Sequence, residues 1–341
     1  HGVTKNSVLS QKPTVSIIIP IFNRENLVDR VVNTVLNQTF LHWELLFIDD
    51  GSTDKTKSKI TSLCGNDARI RCIDNVHAKG PSGARNTGLD NAQGKYIAYQ
   101  DSDDEWIETH LETMVSFLEK YPDKIDVMTA DPLRKYEETK EVFNYDKLDI
   151  SNFKTTDLDG AYLFDKSEIF DRQLKGRVVT TQCIVGKSEL LKSVRWNERL
   201  NAAVDIMYNL ELCAKDISVC HVSEYHAIYW AHDDNLTNVS GGHSPKRMER
   251  IHSAFALYWE LVLTTIKLNK AQKEFVEKNL SKCYAWHLAY HTFEPQKKYT
   301  VAIQYYQKAL TLLPNDSHIK KAMKKAKFKH FLNKLRTGHG D

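Results

Sequence analysis

The chain has 341 residues, of which 41% are hydrophobic and 27% charged, and its formal net charge is +3. This length suits one large domain with an appendage or two modest domains, and so small a net charge gives no reason to expect a nucleic-acid partner. No run of about 18 apolar residues occurs, so we expect no membrane-spanning helix. We also expect no signal peptide, and we expect residues 1–12, which begin His-Gly, to be a flexible remnant outside the fold. Six scattered cysteines without a C-x-x-C pair indicate free, mostly buried thiols in a reducing compartment.

The first half of the chain alternates predicted strands and helices. The strands are short apolar runs rich in β-branched residues, as in sheets buried on both faces; they cover residues 15–21, 43–48, 70–73, 96–99 and 125–129. Helical spacing of apolar residues follows them, over residues 27–36 with Asn23 as the cap, from about residue 54, and over 84–92 and 108–119. This alternation predicts a mostly parallel, Rossmann-like α/β sheet flanked by helices.

The second half has a weaker pattern. Residues 131–173 are polar and aperiodic, which predicts a long irregular, lid-like segment. Strands are then predicted at 177–185 and 218–230, and helices at 187–193 and 204–215. After residue 244 the pattern is helical to the end, so we predict a boundary there, between residues 13–244 and a helical extension, 245–341.

Two of the predicted strands end in acidic clusters. Asp49 and Asp50 follow the second strand, and the run Asp101-Ser102-Asp103-Asp104 follows the fourth. Ligands of such sheets bind outside the carboxyl ends of the strands. Carboxylates at i and i+2 can reach one Mg²⁺ or Mn²⁺ ion and the diphosphate that it bridges. The alternative is an acidic turn in which Asp103 or Asp104 caps the next helix.

Three segments in order, VSIIIPIFNRENLV, ELLFIDDGSTD and GPSGARNTGLDNAQGKYIAYQDSDD, resemble the inverting GT-A glycosyltransferases of family 2, over roughly residues 13 to 235. The resemblance implies a GT-A fold with a nucleotide-binding half at 13–130 and an acceptor half at 131–244. It also implies metal-dependent transfer of a sugar, from a UDP-sugar, with Mn²⁺ or Mg²⁺ as cofactor. The implied acceptor is a glycan or lipid-linked glycan of bacterial surface-polysaccharide synthesis, on the cytoplasmic side of the membrane.

The resemblance also implies roles for individual residues. Those expected to contact the donor are Pro20, Phe22, Asn23, Asp50, Arg85, Asp101 and Ser102. Within this set Pro20 and Phe22 line the nucleoside pocket, and Asp50 accepts the imide N–H of uracil. Asp50 could instead form only a turn, and Arg85 could form only a surface ion pair.

Metal and catalytic roles are implied for three further positions. Asp103 is expected to bind the metal, and His232 to join the metal or the diphosphate. Asp205 is expected to be the general base, although the family's usual Glu-Asp pair is Val204-Asp205 here. Asp205 opens a predicted helix, whose N-terminus favours a carboxylate. Two other carboxylates, Glu198 and Glu211, compete for the role.

Some alternatives remain open. Trp106 and Trp196 could form a sugar-stacking platform, although core packing is the ordinary role of tryptophan. The chain could also be a catalytically silent nucleotide-sugar-binding or scaffold protein. A nucleotidyltransferase is set aside, because IFNREN replaces the glycine-rich phosphate loop expected after the first strand.

The end of the chain carries a dense basic run, between Lys320 and Arg336. Such a run attracts anionic surfaces, and the inner membrane leaflet is one of them. A solvated helix face is the alternative for the same residues.

Overall fold

The computed structural model describes residues 12–231 and 244–337. These residues divide into two compact units, one of residues 12–198 and 208–231 and the other of residues 199–207 and 244–337. We call them the α/β unit and the helical unit. All six cysteines are free thiols, four of them buried, as expected for the state and burial of the thiols.

The α/β unit is built on an eleven-stranded sheet. Its strands are β1 (Val15–Ile21), β2 (Trp43–Asp49), β3 (Ile70–Asp74), β4 (Tyr96–Tyr99), β5 (Glu105–Trp106), β6 (Val127–Tyr136), β7 (Val142–Tyr145), β8 (Thr155–Leu158), β9 (Ala161–Phe164), β10 (Val185–Lys187) and β11 (Val219–Ala231). The main order is β3-β2-β1-β4-β10-β6-β11-β9-β8, with β5 on β11 and β7 on β6. Strands β1 to β4 are mutually parallel, whereas β10 runs antiparallel to β4 and β6.

The helices follow in chain order. They are α1 (Val28–Leu36), α2 (Thr56–Asn66), α3 (Pro81–Asn91), α4 (His110–Lys120), α5 (Lys166–Lys175), α6 (Ser188–Lys192), α7 (Val204–Cys213), α8 (Pro245–Thr265), α9 (Lys270–Lys282), a π-helical segment (Cys283–Phe293), α10 (Tyr299–Leu312) and α11 (Ser317–Thr337). Among the described residues no helix is both long and apolar enough to cross a membrane.

Helices cover both faces of β1, which explains its unbroken apolar sequence. Ile17 and Ile19 belong to the same buried cluster as Val31 of α1. On the opposite face α3 lies so close that a Cβ atom on Gly88 would be 2.4 Å from Cγ2 of Ile18. Each fully buried aliphatic side chain of this kind stabilises the fold by about 1.5–3 kcal/mol. The close packing of α1 and α3 fixes the loops at the ends of β1 and β4.

The first four strands and the alternation with helices confirm the prediction from the sequence. The prediction of an irregular segment over residues 131–173 is wrong, since β6 to β9 and α5 occupy most of it. Its pattern was hidden because all residues of β7 and most of β8 are exposed, so no apolar alternation marks them. The predicted strand at 177–185 is also wrong over most of its length, where a buried loop with a short 3₁₀ turn, Thr181–Cys183, precedes β10.

The helical unit has its own apolar core. The π-helical segment contributes Ala285, Leu288 and Ala289 to it, α10 contributes Ala302 and Tyr306, and α11 contributes Ile319 and Ala326. Tyr306 donates a hydrogen bond to Glu294 at 2.7 Å, which satisfies a buried hydroxyl.

Candidate functional site

The candidate site lies where β1, β2 and β4 end. Because these strands are parallel, their carboxyl ends meet at one edge of the sheet. Ile21 of β1 stands opposite Asp49 of β2, and Ile18 opposite Tyr99 of β4. The loops at 22–27, 50–55 and 100–104 therefore leave the sheet at the same edge, where the 75–80 loop that follows β3 joins them.

Asn23 joins the loops after β1 and β2. Its side-chain oxygen accepts a hydrogen bond from the backbone amide of Thr53 at 2.8 Å. Its backbone amide donates a hydrogen bond to the Ser52 hydroxyl at 3.0 Å. Its backbone is left-handed, with φ of 49°, a conformation that Asn tolerates better than most residues. The expectation that Asn23 caps α1 is wrong, because the capping position is Leu27 and makes no side-chain cap bond.

Two aspartates at the end of β2 do different things. Asp49 accepts from the Ser52 amide at 3.2 Å and closes the turn. Asp50 accepts from Asn75 Nδ2 at 2.7 Å and from the Gly80 amide at 2.8 Å, and so holds the 75–80 loop. Each carboxylate oxygen has room for a second donor, which leaves Asp50 able to accept from a ligand.

Phe22 and Pro20 stand beside this loop. The Phe22 ring is 39% exposed, and the Lys79 ammonium lies 4.8 Å from its centroid, a cation–π distance. Pro20 is half-buried within β1, level with Ile48 of β2. Phe22 therefore presents an exposed aromatic ring next to Lys79 of the 75–80 loop, the loop that Asp50 holds.

Arg85 of α3 points at the end of β4. Its Nη2 lies 2.7 Å from Asp101 Oδ1, and its guanidinium lies 4.4 Å from the centroid of Trp196. Arg85 is buried, and its Nε has no hydrogen-bond partner among the described residues. The pair therefore joins a buried guanidinium to a carboxylate that is 36% exposed, so Arg85 reaches the site from inside the fold and is not an ordinary surface residue.

Three carboxylates converge after β4. Asp101, Asp103 and Asp104 each offer an oxygen within 4.8 Å of the others, and Ser102 lies half-buried between them. Burial, with the nearby charges of Asp103 and Asp101, raises the pKa of Asp104 well above its ordinary value. Asp104 is 6% exposed and accepts from the Trp230 amide at 3.3 Å.

This cluster fits a hard divalent cation. Burial is the main cause of the raised pKa of Asp104, and repulsion from the neighbouring carboxylates Asp103 and Asp101 adds to it. Oxygen atoms alone are the ligands that Mg²⁺ prefers and Mn²⁺ accepts. The capping alternative does not hold, since α4 begins at His110 after Thr109, several residues beyond Asp104.

Two further residues support the cluster, and the sequence did not single them out. Arg30 of α1 donates to the Asp103 carbonyl at 2.7 Å and to the Glu137 carboxylate at 2.9 Å. Gln182 accepts from the Asp101 amide at 2.7 Å and is buried. Both lie far from Asp101 and Asp103 in sequence, so no local pattern could reveal them.

Trp106 and Trp196, the two tryptophans considered for a sugar-stacking platform, are both buried. Trp106 donates from Nε1 to the Gln182 carbonyl at 2.6 Å. Trp196 stacks on Tyr208 with ring centroids 4.0 Å apart and lies under Arg85. Neither ring is available for stacking, so the platform interpretation is wrong for both.

Asp205 lies exposed in the first turn of α7, within the helical unit. Burial, and secondarily the charge of Asp205, raises the pKa of Tyr258. Just before α7, Ala203 has φ of 57°, a conformation that costs a residue with a Cβ atom about 1–2 kcal/mol. The predicted metal residue His232 lies outside the described residues.

The competing carboxylates have other surroundings. Glu198 accepts from Asn86 Nδ2 at 2.8 Å and lies 3.2 Å from His77 Nδ1, so it secures the 75–80 loop to α3. Glu211 is half-buried, and burial raises its pKa. Of the three, Asp205 is the one with an exposed carboxylate at a helix N-terminus.

Residues 16–193 match the family described as "Glycosyl transferase family 2". A 106-residue segment is 45% identical to an Escherichia coli protein named UDP-Glc:alpha-D-GlcNAc-diphosphoundecaprenol beta-1,3-glucosyltransferase WfgD. That match covers 31% of this chain and 41% of that protein. The chain therefore matches less than half the length of this relative.

Solved structures share the fold. Residues 1–349 of TarS from S. aureus, solved in complex with UDP-GlcNAc, align with a TM-score of 0.59 at 17% identity, over 96% of this chain and 92% of that one. Mannosyltransferase PcManGT from Pyrobaculum calidifontis, solved with GDP-Man and Mn²⁺, aligns with a TM-score of 0.53 at 13% identity, over 97% and 93%. At such low identity the likeness concerns the fold alone, and it agrees with the predicted GT-A class.

Proposed function

Because the chain belongs to glycosyl transferase family 2, we propose that it transfers a sugar from a UDP-sugar to a glycan or lipid-linked glycan, with metal dependence and inversion at the anomeric carbon. The observation that carries the proposal is the convergence of Asp101, Asp103 and Asp104 within 4.8 Å. Arg85 and Asp50 stand at the same sheet edge with acceptors and donors that a nucleoside diphosphate needs.

On the donor side, each residue has a physical task. Asp50 accepts the imide N–H of uracil with a free lone pair, and the exposed Phe22 ring lies along the base. Arg85 balances the charge of Asp101, and its guanidinium can turn to phosphate oxygens. Asp103, with Asp101, would hold the divalent cation, Mn²⁺ or Mg²⁺, and Ser102 lies between them. A bound cation of this kind neutralises charge on the leaving diphosphate.

On the acceptor side, Asp205 is the proposed base. In an inverting transfer the acceptor oxygen forms a bond to the anomeric carbon while the bond to the diphosphate oxygen breaks. The hydroxyl proton leaves as the new bond forms, and a carboxylate within hydrogen-bond reach can take it. The exposure of the Asp205 carboxylate in the first turn of α7 supports this choice. Glu198 instead contacts Asn86 and His77 and holds the 75–80 loop. His232 remains a proposed contact of the metal or diphosphate.

The acceptor is proposed from the names of relatives. The E. coli relative named above acts, by its name, on a sugar linked through diphosphate to undecaprenol. Such an acceptor is held in a membrane, and the basic end of this chain would suit an anionic leaflet. We therefore propose that the enzyme works on the cytoplasmic side, peripherally at the inner leaflet, on intermediates of a surface polysaccharide.

The proposal is tested with purified protein, a panel of UDP-sugars and GDP-mannose, with Mn²⁺, Mg²⁺ or a chelator. The melting temperature should rise for one class of nucleotide sugar and only with metal, since ligand that binds the folded state stabilises it. Turnover is then measured as UDP release with and without lipid-linked acceptor. Binding without any turnover, including slow hydrolysis, would favour the catalytically silent alternative. Metal-independent turnover would contradict the metal assignment.

A further inference from the structure

Helix α11 carries two apolar stripes on opposite sides. The inner stripe packs into the helical unit: Ile319 and Ala326 are buried in its core, with Ala322 and Met323 against it. These positions recur every three to four residues, as a packed helix face does. This stripe explains why α11 docks, and it accounts for only part of the apolar residues of the helix.

The outer stripe lies in solvent. Its members and their exposed fractions are Phe328 62%, Phe331 58%, Leu332 37% and Leu335 68%. Their spacing of i, i+3, i+4 and i+7 puts them on one side of the helix. At about 100° per residue, Phe328 and Leu335 lie roughly opposite the buried Ala326. Because the two stripes lie on opposite sides, their hydrophobicity cancels when it is averaged around the helix, and neither stripe stands out.

Cations border the outer stripe on both sides. By the same helical geometry Lys320, Lys327 and Lys334 follow one edge, and Lys325 and Arg336 the other. The sequence of α11 contains no Asp or Glu. A further cation, Lys329, is bound to Glu294 at 2.7 Å and helps to fix the rotation of the helix that turns the stripe outwards.

This combination selects the partner. A solvated basic helix needs no row of exposed Phe and Leu, and a polyanion such as nucleic acid offers no apolar layer to receive them. The surface of an anionic bilayer provides both, because acidic headgroups meet the lysines while the large side chains enter the boundary between headgroups and acyl chains.

We propose that α11 is an interfacial membrane-binding helix, which inserts Phe328, Phe331, Leu332 and Leu335 into the headgroup layer of an anionic leaflet. This inference rests on the proposed function and deepens it, since it replaces a general electrostatic attraction by a defined inserted face. The helix lies in the plane of the membrane, with its inner stripe still packed on the helical unit.

The test is co-sedimentation of the whole chain with vesicles of phosphatidylcholine, alone or with phosphatidylglycerol. The parent should bind the anionic vesicles preferentially and should keep part of its binding at about 1 M salt, where charge attraction is screened within about 3 Å. The variant Phe328→Gln/Phe331→Gln/Leu335→Gln keeps helix propensity and every charge. It should bind at least about a hundredfold more weakly, because the apolar transfer is lost.

Two control variants separate the apolar contribution to vesicle binding from the electrostatic one. Leu41→Gln removes an apolar side chain that is also more than half exposed but lies in the α/β unit, and it should bind like the parent. Lys320→Gln/Lys327→Gln/Lys334→Gln should lose the preference for anionic over neutral vesicles and retain salt-resistant binding. Circular dichroism and UDP-sugar turnover confirm that each variant is folded.

The outcomes are distinct. Undiminished vesicle binding by the triple glutamine variant overturns the proposal, as does binding of the parent that salt abolishes completely. A parent that self-associates in sedimentation velocity without vesicles, and a triple variant that does not, would show that a second copy covers the stripe and would also overturn it. Absence of sugar transfer with normal vesicle binding would contradict the proposed function and leave this inference standing.

Discussion

The ends of β2 and β4 lie at the same edge of the sheet and both carry aspartates, but the surroundings of the two groups of aspartates differ. At the end of β2, both oxygens of Asp50 accept hydrogen bonds from Asn75 and Gly80, and Asp49 accepts from the Ser52 amide. At the end of β4, carboxylates are brought within 4.8 Å of one another, and burial together with neighbouring charge raises the pKa of Asp104.

The difference separates a strand end that is already shaped by hydrogen bonds from one that gains stability when a cation binds. Uncharged donors of the protein satisfy the β2 end, so it keeps its shape without a ligand. The β4 end concentrates the negative charge of three carboxylates, and Arg85 pairs with Asp101 there while Arg30 donates to the Asp103 carbonyl. Such an arrangement gains most from a cation, which is why we propose the metal there and the nucleobase at Asp50.

The largest effect on sugar transfer is expected for a substitution at the end of β4. Asp103→Ala should lower sugar transfer by about a thousandfold, as for loss of a group that stabilises transition-state charge. It should also abolish the Mn²⁺-dependent gain in UDP affinity, measured by isothermal titration. Asp74→Ala is the matched control, because Asp74 also ends a strand but is exposed and paired with Lys57 at 2.5 Å. Normal Mn²⁺-dependent UDP binding by Asp103→Ala would sink the metal assignment.

The second effect tests a carboxylate outside both strand ends. Asp205→Asn keeps the shape and removes the basicity, so kcat should fall by about a hundredfold while UDP-sugar binding stays nearly unchanged. Glu211→Gln on the same helix serves as the control and should retain turnover. The assignment would fail if Asp205→Asn turned over near the parent rate, or if the product kept the anomeric configuration of the donor.

The third effect sharpens the contrast between the two aspartates of β2. Asp50→Asn removes the charge and one acceptor, so affinity for UDP should fall at least about tenfold, the lower limit for the loss of a hydrogen bond to a charged group. Asp49→Asn should leave UDP affinity unchanged, because Asp49 serves the turn. Equal losses in both variants, measured by titration with UDP, would mean that Asp50 acts only through the loop.

The smallest effect concerns backbone strain, which distinguishes the segment before Asp205 from both strand ends. Ala203→Gly relieves a left-handed conformation at φ of 57°, worth about 1–2 kcal/mol, against an entropic cost of about 0.5–1 kcal/mol. The free energy of unfolding in urea should therefore rise by about 0.5–1 kcal/mol. Ala202→Gly, where φ is not positive, should lower it instead. A loss of stability in Ala203→Gly would show that no strain is stored there.

Short-range patterns were enough for part of the molecule. The buried strands β1 to β4, the helices between them and the acidic cluster could all be predicted, because burial on both faces leaves an unbroken apolar run. The edge strands β7 and β8 could not, since exposed strands have no apolar alternation. The prediction that Asn23 caps α1 also failed. An Asn side chain can accept hydrogen bonds from a helix N-terminus or from a loop, and the residues around it determine which.

The sequence by itself determined the α/β class, the family resemblance and the order of Asp50, Arg85, Asp101 and Asp103 at the ends of strands. These follow from local periodicity and from motifs within single segments. Only the tertiary structure decided which oxygens are already occupied, that Arg85 is a buried partner of Asp101, and that Arg30 and Gln182 support the cluster. It also decided which apolar face of α11 meets solvent. Contacts between distant segments depend on how strands and helices pack in space, and that information is not contained in any one stretch of the chain.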